Sequence, residues 1–207
     1  MLVATFGDSI LDCGWYNPLG INPGQLLVHN RDDLFPEFTG QDLASRGPAR
    51  LEHRARDGAT VDDLAAQVKR LELKEPCVAL VTVGGNDLLG RLVMDSGPGL
   101  QAFGKKLEDF LKHLSINHIL IGNVYDPTFG DDAHELAGLL PVRPAVARAS
   151  HLRLNAAIVD IASRYGQLVD LYAHFLTGNP SWYTNLIEPS LVGASEIRRC
   201  FLPYVLR

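Results

Sequence analysis

The chain has 207 residues, of which 46% are hydrophobic and 21% are charged, a composition that is ordinary for a globular protein. This length predicts a single domain over residues 1–207, with enough apolar side chains to fill a core. The formal net charge is −5 and the 19 Lys and Arg residues are scattered, which argues against nucleic acid or an anionic membrane surface as a partner.

Apolar runs of strand length alternate with segments of helix length, as expected for a parallel sheet that is covered by helices on both faces. In chain order, the predicted elements are a strand over residues 2–6, a helix over 33–45, a strand over 49–55, a helix over 60–73, a strand over 77–83, a helix over 100–114, a strand over 116–124, a helix over 145–165, a strand over 168–171 and a helix over 191–205. Thr60 is predicted to cap its helix. Residues 126–142 are predicted to form a loop, and a loop of that length in a compact domain is usually functional or mobile.

The most informative motif follows the first predicted strand without a break. In Ala4-Thr5-Phe6-Gly7-Asp8-Ser9-Ile10, a serine stands on a turn that begins with glycine, directly after an apolar strand. Carboxyl ends of parallel strands border the ligand crevice of α/β proteins, and hydrolases of this class expose a nucleophilic serine there. Ser9 is therefore the candidate nucleophile.

Three further blocks stand in a recognisable order after this motif. Gly58 lies in Arg56-Asp57-Gly58-Ala59-Thr60, and Gly84-Gly85-Asn86-Asp87 follows the apolar strand over 77–83. Near the carboxyl end comes Asn185-Leu186-Ile187-Glu188-Pro189-Ser190-Leu191-Val192-Gly193. In order and spacing, the blocks resemble those of the SGNH hydrolase family, also called GDSL esterases and lipases, and the resemblance covers essentially the whole chain.

The resemblance implies a three-layer α/β/α sandwich of flavodoxin-like type with about five parallel strands. It also implies hydrolysis of a small-molecule carboxylic ester through a Ser9 acyl-enzyme. The oxyanion hole would consist of the backbone N–H groups of Ser9 and Gly58 and the side-chain amide of Asn86. Each such donor is typically worth roughly a hundred- to a thousandfold in rate. Neither a cofactor nor a metal site is predicted, since neither His174 nor His134 stands at metal-ligand spacing from a cysteine or another histidine.

The fourth block departs from the family pattern, which is Asp-x-x-His-Pro. Asn185 stands at the aspartate position and Glu188 at the histidine position. A glutamate oxygen has the reach of the far imidazole nitrogen, but reference pKa values of about 4.3 and 6.5 make it weaker by about 3 kcal/mol in proton affinity. If half of that is expressed in the transition state, the loss is about tenfold, and burial would recover part of it. Glu188 is thus the predicted base, oriented by an N–H that Asn185 donates to it.

Other readings of the sequence stay open. His174, shortly after the last predicted strand, is the alternative base, and His134 in the long loop is a weaker one. A carboxylate base would favour aryl esters or thioesters, whose leaving groups depart easily. The rival functions are a catalytically silent relative that binds an acyl ligand and an acyltransferase that uses the same residues.

The remaining sequence features bear on compartment. Three widely spaced cysteines, Cys13, Cys77 and Cys200, favour reduced thiols over a disulfide framework, and none stands in a motif of a thiol nucleophile. No run approaches 18 uninterrupted apolar residues, so no membrane span is expected. No secretory signal pattern precedes the first predicted strand, and a cytoplasmic location is expected.

Overall fold

A five-stranded sheet, with all strands parallel, forms the centre of the molecule. The computed structural model describes residues 1–69, 71, 76–138 and 140–206. The strands are β1 (Leu2–Gly7), β2 (Arg50–His53), β3 (Cys77–Thr82), β4 (His118–Gly122) and β5 (Gln167–Val169). Their spatial order β2-β1-β3-β4-β5 is that of the flavodoxin-like fold, so the predicted fold class is confirmed.

Helices cover both faces of the sheet. They are α1 (Pro23–Val28), α2 (Leu64–Gln67), α3 (Gly85–Gly90), α4 (Pro98–His113), α5 (Pro144–Tyr165), α6 (Leu171–Leu176) and α7 (Leu191–Val205). One apolar core lies under α1 and α7 and the other under α4 and α5, and successive residues of β3 point alternately into the two. The central strand is therefore buried on both faces, as predicted. None of the described helices combines the length and apolarity that crossing a bilayer requires.

The strand order places a ligand crevice at one edge of the sheet. From β1 the chain passes to β2 on one side and then to β3 on the other, so the winding reverses at β1. Doubly wound sheets bind ligands outside the carboxyl ends of strands at such a reversal. Ser9 follows β1 and Asn86 follows β3, so both lie at this edge.

A small hairpin near the carboxyl end lies outside the main sheet. Its strands β6 (Tyr183–Thr184) and β7 (Glu188–Pro189) are antiparallel and pair Thr184 with Glu188. Gly193 in the first turn of α7 approaches it closely, and a β-carbon there would lie 2.1 Å from the carbonyl oxygen of Trp182. Glycine is therefore required where α7 meets the hairpin.

The structure confirms the long periodic elements and corrects the ambiguous ones. The helices predicted over 100–114, 145–165 and 191–205 correspond to α4, α5 and α7. The helix predicted over 33–45 is wrong, because that segment contains only short 3₁₀ turns at Pro36–Phe38 and Ala44–Arg46. The Asp42 carboxylate accepts hydrogen bonds from the backbone N–H groups of Asn30 and Ser45, and such side-chain bonds compete with helix formation.

Two other elements differ in extent. The helix predicted over 60–73 is reduced to α2, and residues 70, 72 and 73 of it lie outside the described part of the chain. Thr60 does not cap that helix, since both its N–H and its hydroxyl donate to Asp63 Oδ2. The strand predicted over 168–171 ends at Val169, because Asp170 accepts a hydrogen bond from Ala173 N and so starts α6.

Candidate active site

The turn after β1 presents Ser9 at the mouth of the crevice. Gly7 has φ +121°, and a β-carbon there would lie 1.5 Å from the carbonyl oxygen of Thr82, so the turn needs glycine at this position. Ser9 is 8% exposed and lines a cavity of about 370 Å³. Its backbone N–H has no acceptor among the described residues. That N–H is therefore available to a ligand, as an oxyanion donor must be.

Asp8, directly before the predicted nucleophile Ser9, is buried, and only one of its two carboxyl oxygens has hydrogen-bond partners. Oδ1 accepts hydrogen bonds from Thr82 Oγ1 at 3.0 Å and from Ile10 N at 3.2 Å. Oδ2 is buried and has no hydrogen-bond partner among the described residues. Burial raises the pKa of Asp8 from 3.8 to about 7, and the negative charges of Glu188 and Asp87 act in the same direction. Asp8 is thus largely protonated below neutral pH.

Asn86 enters the cavity from the beginning of α3. Its Nδ2 donates to the carbonyl oxygen of Ala59 at 3.0 Å. A side-chain amide has two N–H groups, so the second one remains for a ligand. Asn86 also lines the cavity, as the predicted oxyanion role requires.

Gly58 lies on an exposed turn with φ +74°, and it is not among the residues that line the cavity. Its N–H donates to no other described residue. The turn is held from behind, because Asp57 N donates to Asp12 Oδ2 at 2.9 Å and Asp12 Oδ1 pairs with His53 Nε2 at 2.9 Å. Gly58 therefore offers a free donor at the edge of the site rather than in its wall.

Glu188 reaches the same cavity from β7. The Ser9 side chain lowers the pKa of Glu188, but burial outweighs that effect and leaves the pKa raised. Oε2 is buried without a hydrogen-bond partner in the described part of the molecule. The hydroxyl of Tyr125 donates to the carbonyl oxygen of Ile187 at 2.7 Å and so fastens the residue before Glu188. The predicted nucleophile and the predicted base are brought together.

Asn185 does not orient Glu188 as predicted. It lies in the turn of the hairpin, is exposed, and has φ +45°, followed by Leu186 at φ +75°. No described hydrogen bond joins its side chain to Glu188, and Oε2 of Glu188 stays unpartnered. Asparagine tolerates the left-handed conformation better than most residues, which accounts for its presence in this turn. The prediction that Asn185 donates a hydrogen bond to Glu188 is therefore wrong.

The predicted alternative bases do not line the cavity. His174 Nε2 pairs with Glu196 Oε2 at 2.8 Å, and its ring stacks on Trp182. His134 Nδ1 accepts a hydrogen bond from Leu136 N. Both rings are thus engaged away from Ser9.

The sequence analysis missed His151, on α5, which does line the cavity. Its Nε2–H donates to the carbonyl oxygen of Val124 at 2.9 Å, and burial lowers its pKa, so the ring is neutral at pH 7. The signal in the sequence was position: His151 stands four residues after Ala147 and three before Leu154, on the inward side of the helix.

Beyond its polar end, the cavity is mainly apolar. The residues that form this wall are Ile10, Leu88, Leu89, Val124, Pro127, Leu136, Leu140, Pro144, Ala147, Leu186 and Ile187. The predicted loop over 126–142 supplies part of it and contains only a short 3₁₀ turn, Glu135–Gly138, among its described residues. Arg148 clamps the loop by donating to Asp126 Oδ2 at 2.5 Å and to Asp132 Oδ1 at 2.6 Å. A bound acyl group would therefore lie between this loop, α5 and the hairpin.

No group of three or more His, Cys, Asp or Glu residues in the described ranges is arranged to hold a metal ion. Burial raises the pKa of the Cys13 thiol well above its ordinary value and that of Cys200 to about 12. Thiols with pKa values this high are poor nucleophiles at neutral pH.

Comparison with known proteins shows the family and the fold of the chain. The sequence profile of the GDSL-like lipase/acylhydrolase family matches residues 5–192. No curated protein is similar enough in sequence to match. Among solved structures, similar folds occur in Axe2, an acetylxylan esterase from Geobacillus stearothermophilus (19% identity, 99% of this chain and 93% of that one, TM-score 0.69), and LAE5, an α/β hydrolase from the metagenome of Lake Arreo, Spain (23%, 98% and 94%, 0.66). The lipase Lip_vut3 from a goat rumen metagenome is a third (15%, 99% and 97%, 0.70).

Proposed function

Because the chain belongs to the GDSL-like lipase/acylhydrolase family, we propose that it hydrolyses small carboxylic esters or thioesters through an acyl-enzyme on Ser9. The observation that carries the proposal is that Ser9 and Glu188 line one cavity, in which the Ser9 side chain acts on the Glu188 carboxyl group to lower its pKa. A nucleophile within hydrogen-bond reach of a base is the arrangement that covalent catalysis requires.

In the acylation step, Glu188 takes the proton of the Ser9 hydroxyl while the serine oxygen attacks the carbonyl carbon of the ester. The negative charge that forms on the carbonyl oxygen is stabilised by the N–H of Ser9 and the second N–H of the Asn86 amide, with Gly58 N–H as a further donor at the edge. Protonated Glu188 then gives its proton to the departing alkoxide or thiolate. In the second half, Glu188 takes a proton from water while the water oxygen bonds to the acyl carbon; the bond from that carbon to the Ser9 oxygen then breaks, the carboxylic acid leaves, and Glu188 returns the proton to the Ser9 oxygen.

The environment of Glu188 makes it a better base than an exposed glutamate. Burial raises its pKa and so its proton affinity, which narrows the deficit relative to histidine. Its position comes from the hairpin, which is fastened at Ile187 by Tyr125, and not from Asn185. A base of this strength favours leaving groups of low pKa, so aryl esters and thioesters should react faster than alkyl esters.

The size of the cavity supports a small substrate. A volume of about 370 Å³ is near the lower end of the range for small-molecule sites. Its apolar wall suits an acyl chain, and its polar end holds the groups that would act on the carbonyl carbon. The acyl chain would therefore bind along the apolar wall of the cavity, and the reaction at Ser9 would take place at its polar end.

The test is labelling with a fluorophosphonate, followed by identification of the modified residue. An activated Ser9 reacts rapidly and stoichiometrically, and Ser9→Ala abolishes both labelling and hydrolysis of a nitrophenyl ester. Full hydrolysis by Ser9→Ala would refute the nucleophile. Binding of an acyl ligand without labelling of Ser9 would identify a silent relative instead.

The base is tested by Glu188→Gln, which should lower kcat by about 10²–10⁴-fold. Glu188→His, with Asn185→Asp, should raise it. The matched control is His174→Gln, which changes a residue outside the cavity and should alter kcat less than about twofold. Undiminished turnover in Glu188→Gln, together with its loss in His151→Gln, would transfer the role to His151.

A further inference from the structure

Two buried carboxyl oxygens at the Ser9 end of the cavity have no hydrogen-bond partner. They are Oδ2 of Asp8 and Oε2 of Glu188, and no other described side chain has a buried nitrogen or oxygen in that condition. Both residues line the same cavity. Buried polar atoms are paired in the great majority of cases, so an orphaned pair beside a nucleophile calls for an explanation.

The proposed base role explains the orphaned oxygen of Glu188 but leaves that of Asp8 unexplained. Oδ1 of Asp8 accepts hydrogen bonds from Thr82 Oγ1 and Ile10 N, and these bonds stabilise the turn that carries Ser9. Oδ2 adds nothing to that turn. It lies near Gly85, where an added β-carbon would be 3.9 Å away, and Gly85 itself lines the cavity.

We propose that Asp8, in its neutral form, donates a hydrogen bond from Oδ2 to the carbonyl oxygen of the bound ester. This inference rests on the proposed ester hydrolysis. Gly58 does not line the cavity. Asp8 does, so it would supply a further donor from the cavity wall, beside the N–H groups of Ser9 and Asn86. The proton stays on Asp8 throughout, and the proton of the Ser9 hydroxyl still passes to Glu188.

The surroundings of the two carboxyl groups favour the neutral acid at Asp8 and the carboxylate at Glu188. Asp8 is fully buried and lies near the negative charges of Glu188 and Asp87, of which that of Asp87 is partly offset by Arg91, whose Nη2 lies 3.4 Å from Asp87 Oδ1. Glu188 is only partly buried and has the Ser9 hydroxyl as a stabilising donor, with the charge of Asp57 acting against it. Carboxyl pairs whose environments separate their pKa values can act as donor and base at the same pH.

The experiment measures kcat/KM for an aryl acetate from pH 5 to 10, with products quantified by chromatography so that detection does not depend on pH. The wild type should gain activity as Glu188 ionises and lose at least about tenfold between pH 6 and 9, as the donor on Asp8 is lost. In Asp8→Asn the falling limb should disappear, because an amide N–H donates at every pH. A wild-type profile without a falling limb, or a limb that persists in Asp8→Asn, overturns the proposal.

A second variant guards against an effect on folding alone. Thr82→Val keeps the shape of the side chain but removes a hydrogen bond that stabilises the Asp8 carboxylate, so the falling limb should move to higher pH. If Asp8 were only structural, both variants would lower the rate without moving the limb, and that result overturns the proposal.

Ser9→Ala in the same assay separates the two proposals. Wild-type activity in Ser9→Ala refutes the nucleophile and with it the donor on Asp8. If hydrolysis depends on Ser9 but neither Asp8→Asn nor Thr82→Val changes the falling limb, the donor role of Asp8 is refuted and the nucleophile role of Ser9 is not.

Discussion

The nucleophile turn (residues 7–10) and the base hairpin (residues 183–189) meet in one cavity but are held in place by different interactions. The nucleophile turn continues a central strand, and its backbone is paired on both sides: Gly7 exchanges hydrogen bonds of 2.7 and 2.9 Å with the Gln67 side chain, and Asp8 N donates to Thr82 O. The base hairpin has two strands of two residues each. It is held by side chains, through the hydroxyl of Tyr125 and the rings that surround Tyr183.

This difference shows which part of the site tolerates a change of residue. A turn whose backbone is locked by neighbouring strands leaves little freedom at Gly7 or Asp8. A hairpin that is anchored through Ile187 and Gly193 can exchange residues next to those anchors while its backbone stays in place. The sequence prediction that Asn185 and Glu188 stand at the family's aspartate and histidine positions fits that description.

The largest expected effect breaks the nucleophile turn. Gly7→Ala would place a β-carbon 1.5 Å from Thr82 O, so the end of β1 must move away from β3, and we expect a loss of more than about 4 kcal/mol in the free energy of unfolding. Chemical denaturation measures it. Gly40→Ala is the control, because Gly40 also has positive φ but no atom within 4 Å, and it should cost only about 1–2 kcal/mol. Equal losses would contradict the steric explanation.

The second prediction compares the two carboxyl groups through the pH dependence of stability. The pKa of Asp8 is higher in the folded state, about 7 against 3.8, so Asp8 binds more protons in the folded protein between these values and its contribution to stability must fall as pH rises from 4 to 7. The full change corresponds to at most about 4 kcal/mol.

The pH effect is measured as the free energy of unfolding at pH 5 and pH 8. Glu188 has a raised pKa of the same sign but is only partly buried, so Asp8→Asn should flatten the slope more than Glu188→Gln does. If the free energy of unfolding decreases more steeply from pH 5 to pH 8 in Asp8→Asn than in the wild type, the predicted direction of the Asp8 effect is wrong.

A smaller effect tests the anchoring of the base hairpin. Tyr125→Phe removes the donor to Ile187 O and leaves that carbonyl without its partner, which should cost about 1–2 kcal/mol and lower kcat severalfold as Glu188 loses its position. Tyr183→Phe is the matched control, since its hydroxyl makes only a 3.4 Å contact with Asp126 O. Thermal melts and kcat for both variants decide the matter, and a larger loss in Tyr183→Phe would count against this anchor.

The smallest effect is expected at Asn185. Asn185→Gly keeps a residue suited to positive φ and removes the amide, so kcat should change less than about twofold and stability less than about 0.5 kcal/mol. Steady-state kinetics provides the measurement. A loss of tenfold or more would restore the orienting role that the sequence suggested.

Much of the fold could be predicted from local pattern. Apolar runs of strand length and the long amphipathic segments are set by neighbours along the chain, so β1, β3, β4, α4, α5 and α7 were found close to their observed bounds. The short helices α1, α3 and α6 and the base hairpin carry too few residues for a periodic signal. The helix expected over 33–45 failed because Asp42 makes its backbone contacts through a side chain, which periodicity does not register.

For the site, the sequence by itself located Ser9, Asn86 and Glu188, which line one cavity, since each belongs to a short motif next to a strand or helix that pattern identifies. Only the tertiary structure decided that no described hydrogen bond joins Asn185 to Glu188, that His151 lines the cavity and that Asp8 keeps an oxygen without a partner. These facts depend on side-chain direction and on contacts between segments far apart in the chain. Burial and pairing of a polar atom are properties of the packed molecule, and no local pattern encodes them.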